Sequence, residues 1–301
     1  MFYYNISGFH ICSEIQLLSL KEINETQSHD LFIIFGDAPD SLNTSSERSS
    51  WFEISPTAFL LKIKDLANYY YHFESKTILV KPVYPDNLNG LELFLIGSCL
   101  GVFLIKKGIF PFHSGCVTGK TGTTLICGDS GAGKSTLTSF LALKDNYAFL
   151  ADDISALKEE AKSLYIKPFI TRTKLWQDSL ENMEIDYSRM ERIRDADNKY
   201  YLPVSQNKEN KTSYEINRIL FLKKPSSVNF SLHEIIPQKE KFKVILSNSY
   251  RSFFYSGLFA EDIIFTYTTN MAKSLPLLTL ERPVNTDIFK TVEYLKTQGI
   301  F

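Results

Sequence analysis

Residues 125–136 read LICGDSGAGKST, and the rest of the sequence is best interpreted outward from this stretch. Gly128, Gly133, Lys134 and Ser135 match G-x-x-x-x-G-K-[ST], the pattern of phosphate-binding loops (P-loops). Glycines let backbone N–H groups point at phosphate oxygens, and the helix that follows offers its positive N-terminal end. In this pattern the lysine reaches the β- and γ-phosphates of ATP, and the serine hydroxyl binds Mg²⁺. The residues expected to hold the nucleotide are Gly128, Asp129, Ser130, Gly131, Ala132, Gly133, Lys134, Ser135 and Thr136.

The flanking sequence fits this interpretation. TTLIC at 123–127 is typical of a strand, and STLTSFLAL at 135–143 is typical of a helix. The alternative is a chance glycine-rich turn, and the bare pattern should occur by accident in about 1% of chains of this length. A strand before the loop and a helix after it favour the phosphate-binding interpretation.

Two adjacent carboxylates, Asp152 and Asp153, follow the apolar run YAFLA at 147–151. A phosphate-binding loop needs a carboxylate at the end of a neighbouring strand, to hold Mg²⁺ or to activate the attacking group. The alternative is that these residues cap a helix beginning at ISALKEE, 154–160. His113 is a third candidate because it lies 21 residues before Lys134, although a lone histidine is usually structural.

Composition excludes some classes of function. The 301 residues carry a net charge of −1, with 33 basic and 34 acidic side chains and no long basic run, so nucleic-acid binding is not expected. The four cysteines match no zinc or CxxC spacing, which favours reduced thiols in a cytoplasmic protein. The N-terminus lacks the features of a signal peptide. The apolar run at 93–105 has 13 residues, so we expect a buried helix and no membrane partner.

The chain divides into two parts by composition. Residues 1–107 hold short aromatic and β-branched runs, which predict a β-rich lobe that ends in the buried helix. Residues 108–301 hold the loop and the strands and helices around it. The polar stretches 186–199 and 205–213 are expected at the surface, and NTDIFKTVEYLKTQ at 285–298 predicts a closing helix capped by Asn285 or Thr286.

Together these motifs resemble a known family. The stretch from HSGCVTGK through GDSGAGKS to ADDISAL, residues 113–157, resembles the core of HPr kinase/phosphorylase and its relatives. That family has a histidine, a β-hairpin that ends in the glycine loop, a helix, and a strand that ends in two aspartates. KPFITRTKLWQDSL, KYYLPV and NRILFLKK look like the related kinases encoded beside ribosomally made peptides, of which the lasso-peptide tailoring kinases are nearest.

The resemblance implies an α/β fold: a P-loop core of the HPr kinase/PEP carboxykinase type with a small β-rich N-terminal lobe. It implies transfer of the ATP γ-phosphate, with Mg²⁺, to a Ser/Thr hydroxyl on a peptide or protein such as a lasso-peptide precursor. Asp152 would be the general base, Asp153 would lie near the metal, and His113 near the γ-phosphate. Arg172 and Lys199 match positions where the relatives keep basic residues, and the alternative for both is a solvated cation. Trp176, Tyr200 and Tyr201 are expected to pack in the core.

Other functions remain open from the sequence. The glycine-rich segment and the signature that follow the aspartates in HPr kinase are absent here, and KPFITRTKLW occupies the comparable region. This departure argues against recognition of HPr and against the reverse phosphorylase reaction. The expected acceptor is a hydroxyl on a peptide or protein, and HPr itself or a small-molecule hydroxyl is the alternative. A nucleotide-binding regulator without transfer chemistry is the remaining alternative. HPr kinases form hexamers, so a homo-oligomer is one expected state.

Overall fold

A computed structural model describes residues 1–193, 198–204 and 211–301. The fold is mixed α/β with several sheets. The chain forms two compact units: Met1–Pro111 with Tyr250–Phe265, and Phe112–Ser249 with Thr266–Phe301. Parts of the polar stretches 186–199 and 205–213 lie outside the described residues.

The first unit contains an eight-stranded sheet in the order β1-β2-β3-β8-β7-β6-β5-β4. Strands β2, β3 and β8 are parallel neighbours, and the other neighbours are antiparallel. Alternate residues of the strand Ala67–His72 are buried, as in a sheet with one face on the core. The strands are β1 (Phe2–Ile6), β2 (Phe9–Ser13), β3 (Leu31–Phe35), β4 (Glu47–Arg48), β5 (Phe52–Ile54), β6 (Ala58–Ile63), β7 (Ala67–His72) and β8 (Thr77–Pro82).

The apolar run after this sheet is helical, as the sequence predicts, but the helix is longer than the run. It comprises α1 (Leu88–Phe94), a π-helical turn (Leu95–Cys99) and α2 (Leu100–Lys106). At 19 residues the helix is long and apolar enough to cross a membrane by length and composition. The expectation that this helix is too short to span a bilayer, which rested on the 13-residue apolar run, was therefore wrong. Its most apolar window is 78% buried inside the protein, which is typical of a core helix.

The second unit is built on a six-stranded sheet in the order β12-β10-β11-β18-β20-β19. Strands β13, β14 and β17 are neighbours in a smaller sheet, and β15 pairs with β16. The boundary between the units falls within β9 and again within α7. The strands are β9 (Phe110–Phe112), β10 (Gly115–Gly119), β11 (Gly122–Gly128), β12 (Ala148–Ala151), β13 (Ser155–Glu160), β14 (Ser163–Ile166), β15 (Arg172–Trp176), β16 (Lys199–Pro203), β17 (Tyr214–Glu215), β18 (Arg218–Leu222), β19 (Ser231–Glu234) and β20 (Leu277–Glu281). The helices are α3 (Lys134–Lys144), α4 (Gln177–Asn182), α5 (Gln238–Ser247), α6 (Phe254–Gly257), α7 (Glu261–Ser274) and α8 (Ile288–Thr297).

The centre of this sheet carries the predicted hairpin and loop. β10 and β11 pair in antiparallel register, β11 runs parallel to β18, and α3 packs against β10, β11 and β12. The predicted strand, loop and helix at 123–143 are therefore confirmed as secondary structure. The alternative helix at ISALKEE is wrong because Ser155–Glu160 is a strand that pairs with β14. The closing helix α8 is confirmed, but its cap is Asp287, whose side chain accepts from the N–H of Lys290.

The segment Tyr250–Phe265 returns to the first unit, which the predicted division at 107/108 did not include. The Phe254 ring centroid lies 5.1 Å from that of Phe52 and 5.0 Å from that of Phe59. In addition, the carbonyl of Gly97, in the π-helical turn, accepts hydrogen bonds from the Tyr250 hydroxyl and from Nε of Arg251. Contacts of such long sequence separation leave no local signal in the sequence.

Candidate functional site

The loop between β11 and α3 adopts the conformation for which its glycines are needed. Gly128, Gly131 and Gly133 have φ of +143°, +78° and +86°, a region that residues with a Cβ rarely enter. A Cβ on Gly128 would lie 2.2 Å from the carbonyl oxygen of Leu222 on the neighbouring strand. The start of the loop is also fixed by Asn248, whose side-chain oxygen accepts from the N–H of Gly128 at 3.1 Å. Sequence reasoning did not identify Asn248.

Lys134 lies over this loop. Its Nζ donates to the carbonyl oxygens of Gly128 at 3.0 Å and of Asp129 at 3.3 Å. Burial lowers the pKa of Lys134, although the carboxylates of Asp153 and Asp152 act in the opposite direction. The ammonium group is thus held at the mouth of the glycine loop, within reach of an anion placed there.

Asp152 is held by two hydroxyl groups. Ser135 Oγ donates to Asp152 Oδ1 at 2.9 Å, and Thr173 Oγ1 donates to Asp152 Oδ2. Asp152 is only 7% exposed. Burial raises the pKa of Asp152, and the hydrogen bond from Thr173 opposes this without cancelling it. The first turn of α3 and the end of β12 are therefore joined through this carboxylate.

Asp153 faces two basic side chains instead. Its Oδ1 lies 3.3 Å from Nδ1 of His113, and its Oδ2 lies 3.4 Å from Nζ of Lys174. Burial acts to raise the pKa of Asp153, but Lys174 and His113 outweigh this effect, so the pKa is well below its usual range. The backbone φ of +72° turns this residue out of the strand geometry of β12. The carboxylates of Asp152 and Asp153, although adjacent in sequence, thus contact different kinds of side chain.

A cavity of about 1020 Å³ in the second unit collects most of these groups. Lys174, Trp176, Asp178, Ser179 and Glu181 line it as well, and none of them was a predicted site residue. The predicted site residues that line it are His113, Ser130, Gly131, Gly133, Lys134, Ser135, Thr136, Asp152, Asp153 and Lys199. Four other predicted residues do not: Gly128, Asp129, Ala132 and Arg172.

Arg172 is not at the cavity, contrary to the sequence-based expectation. Its guanidinium carbon lies 3.6 Å from the ring centroid of Tyr201, and its Nη1 lies 3.3 Å from Oε2 of Glu191. Lys174, two residues further along β15, is the cation that contacts Asp153. Strand periodicity alone gives Arg172, Lys174 and Trp176 the same face, so it does not choose among them.

Trp176 is 52% exposed and lines the cavity, so the expectation that it packs in the core was wrong. Tyr200 and Tyr201 are 5% and 4% exposed and pack in the core as expected. Lys199 pairs with Trp176 across the β15–β16 ladder, and its Nζ lies 5.2 Å from the Trp176 ring centroid. Lys199 therefore lies beside Trp176.

Arg282 supports the loop from within the protein. It is 7% exposed, and its Nη2 donates to the carbonyl oxygen of Ala132 and, at 3.4 Å, to that of Lys223. Burial lowers the pKa of Arg282. No sequence pattern singled out this arginine, because only the fold brings the end of β20 beneath the loop.

Comparison with known proteins gives matches among solved structures alone. No protein-family model matches the chain, and no curated protein matches it. Among solved structures, the chain is similar to the HPr(Ser) kinase/phosphatase from Coxiella burnetii, with 12% identity over 63% of this chain and 95% of that chain, and a TM-score of 0.31.

Proposed function

We propose that the protein is an ATP-dependent, Mg²⁺-dependent kinase that transfers the γ-phosphate to a hydroxyl group. The observation that carries the proposal is the convergence of three features on one cavity. A glycine loop with Lys134 at its mouth supplies a cradle for phosphates, Ser135 and Asp152 supply hard oxygen ligands, and Asp153 with Lys174 supplies a carboxylate and a cation. These are the parts that phosphoryl transfer requires.

The fit of Mg²⁺ is tested by the pair Ser135 and Asp152. Mg²⁺ prefers octahedral oxygen ligands at about 2.0–2.1 Å, so neighbouring ligands lie about 2.9 Å apart. Ser135 Oγ and Asp152 Oδ1 are separated by 2.9 Å. Among the described residues no cluster of three or more His, Cys, Asp or Glu side chains forms a metal cage. When bound, Mg²⁺ neutralises charge on the β- and γ-phosphates.

The geometry favours an exchange of the two roles that the family resemblance implies for the aspartates. Asp152 is paired with the loop serine, which is the arrangement of a metal-binding carboxylate in P-loop enzymes. Asp153 is more accessible, with a side chain 36% exposed, and it faces His113 and Lys174. We therefore assign the acceptor hydroxyl to Asp153 and the metal to Asp152.

The reaction balances with these groups. The acceptor oxygen forms a bond to the γ-phosphorus while the bond from that phosphorus to the β,γ-bridging oxygen breaks. The hydroxyl proton passes to the Asp153 carboxylate, and the products are ADP and a phosphomonoester. Since the transition state is loose, Asp153 acts mainly by orienting the hydroxyl. Lys174 and His113, which contact Asp153, stabilise negative charge on the transferred group.

The proposed acceptor is a Ser or Thr hydroxyl of a peptide or protein, such as the precursor of a ribosomally made peptide. The motif resemblance at 167–180 and 199–204 supports this choice over HPr or a small molecule. We also propose a cytoplasmic enzyme, because its four cysteines are free and buried and because ATP is its donor.

The test is incubation with γ-labelled ATP, Mg²⁺ and peptides encoded near the gene, with mass spectrometry of the products. We expect the mass of one phosphate to be added at a serine or threonine, and no addition by Asp153→Asn. Asp65→Asn is the matched control, because Asp65 is an exposed aspartate that also has positive φ, at +58°, and does not line the cavity. If the protein binds ATP but transfers no phosphate to these peptides or to a small hydroxyl compound, the result would favour a nucleotide-binding regulator over a kinase.

A further inference from the structure

The first turn of α3 has neighbours in two directions. Ser135 contacts Asp152, and Thr136 Oγ1 lies 3.0 Å from the hydroxyl of Ser179 near the start of α4. Successive helix residues point about 100° apart. The cavity therefore has two ends: a transfer end (His113, Asp152, Asp153, Lys174) and a tryptophan end (Trp176, Asp178, Ser179, Glu181, Lys199).

The direction of a bound triphosphate follows from these neighbours, if the proposed function is correct. A P-loop lysine reaches the β- and γ-phosphates, and the loop serine shares Mg²⁺ with them. Ser135 is joined to Asp152, so the terminal phosphate belongs at the transfer end. The α-phosphate and the nucleoside then leave on the side of Thr136, towards the tryptophan end.

The chemistry of the tryptophan end suits a nucleoside and not a phosphate. The carboxylates of Asp178 and Glu181 repel phosphate oxygens, whereas ribose hydroxyls donate hydrogen bonds to such groups. Glu181 is held in place because its Oε1 accepts from Gln177 at 2.8 Å and from the Tyr187 hydroxyl at 2.6 Å. Trp176 presents a large aromatic surface in the same place, even with Nζ of Lys199 near its ring.

The size of the cavity agrees with a complete nucleotide. Sites for small molecules usually measure about 300–1,000 Å³, and this cavity of about 1020 Å³ lies just above that range. A triphosphate group at the glycine loop alone would leave the tryptophan end empty.

We infer that the tryptophan end is the nucleoside subsite, in which the base of the bound nucleotide stacks on Trp176 and the ribose hydroxyls donate to Asp178 and Glu181. Stacking on an aromatic ring is tolerant of base identity, because every base has a π-face. The site should therefore accept GTP as well as ATP, with affinities within about tenfold of each other.

Fluorescence provides the first test, because the chain has two tryptophans, Trp51 and Trp176. Trp51 belongs to the first unit and does not line the cavity, so Trp51→Phe is the matched control. We expect ATP to quench the fluorescence of the wild type and of Trp51→Phe, and to leave that of Trp176→Phe unchanged. Persistence of the quench in Trp176→Phe would overturn the inference.

Binding measured by calorimetry provides the second test, with ATP and inorganic tripolyphosphate as separate probes. Loss of a base–aromatic stack costs about 5- to 150-fold in affinity. Trp176→Ala should therefore weaken the affinity for ATP by a factor in this range and leave the affinity for tripolyphosphate unchanged. Trp176→Phe should retain part of the affinity for ATP that Trp176→Ala loses. Because Trp176 is half exposed, the alanine variant should fold.

The outcomes separate the inference from the proposed function. Suppose that the wild type binds ATP and that Trp176→Ala weakens the binding of both probes equally, or of neither. The nucleoside subsite is then wrongly assigned, but the triphosphate site stands. If Trp176→Ala instead raises only the KM for the acceptor, the tryptophan end binds the acceptor and the inference is again wrong. If the wild type binds neither probe, both proposals fail.

Discussion

The carboxylates of Asp152 and Asp153 are adjacent in sequence but contact opposite kinds of partner. Asp152 accepts from the hydroxyls of Ser135 and Thr173, whereas Asp153 faces the basic side chains of Lys174 and His113. Burial raises the pKa of Asp152, whereas Lys174 and a hydrogen bond to His113 lower the pKa of Asp153. These opposite shifts of pKa give the two residues opposite effects on stability.

Asp152→Asn should stabilise the protein at neutral pH in the absence of Mg²⁺. The pKa of Asp152 is higher in the folded than in the unfolded state. Its favourable contribution to the free energy of unfolding is therefore present below the pKa of the unfolded state, and it is lost as pH rises through the pKa of the folded state. Asparagine resembles the protonated acid, so we expect Tm to rise by a few degrees at pH 7.5. The gain should shrink near pH 4. A Tm that falls equally at both pH values would contradict the assigned environment.

Asp153→Asn should have the reverse effect. The pKa of Asp153 is lower in the folded than in the unfolded state. Its favourable contribution to the free energy of unfolding is therefore present above the pKa of the unfolded state, and it is lost as pH falls through the pKa of the folded state. Thermal unfolding at pH 7.5 should show a lower Tm than the wild type, and the difference should narrow in acid. Asp153 orients the acceptor hydroxyl, and misplacement of a reacting group costs about 10²-fold in rate. We therefore expect kcat to fall by about this factor while the affinity for MgATP stays within about threefold. If the affinity for MgATP falls by as large a factor as kcat, Asp153 is the residue that binds the metal.

Lys174→Met tests which basic residue acts in transfer. Removal of one preorganised group that stabilises the transition state costs about 10²- to 10³-fold in kcat. Lys158→Met, at an exposed residue of β13 outside the cavity, is the control and should retain full activity. Arg172→Met should mainly lower Tm, because Arg172 packs on Tyr201 and pairs with Glu191. A larger kcat loss from Arg172→Met than from Lys174→Met would reverse this assignment.

Two glycine variants separate strain from steric overlap in the loop. Gly131→Ala has open space around the new Cβ and meets only the positive φ, which costs about 1–2 kcal/mol. Gly128→Ala also places Cβ against the carbonyl oxygen of Leu222, so it should be the more destabilising variant. Urea unfolding of both variants compares them directly, and equal midpoints would show that the loop backbone moves to relieve the overlap.

Local patterns allowed the glycine loop, the hairpin and the paired aspartates to be predicted, because each depends on residues close in sequence. The choice between Arg172 and Lys174 depended on Tyr201 and Glu191, which lie far along the chain. Arg282 could not be found at all, since its proximity to Ala132 exists only in the folded sheet. The expected burial of Trp176 failed for a related reason: an aromatic residue on a strand faces the core or a cavity with the same sequence signal.

The return of Tyr250–Phe265 to the first unit has a consequence for synthesis on the ribosome. Phe254 packs against Phe52 and Phe59, so the N-terminal sheet lacks part of its apolar cover until that segment emerges. The segment follows Pro111 by roughly 150 residues, and elongation at about 5–20 residues per second makes the delay roughly 8–30 s. During that interval the nascent chain exposes aromatic surface, which makes it a client for chaperones that bind during translation.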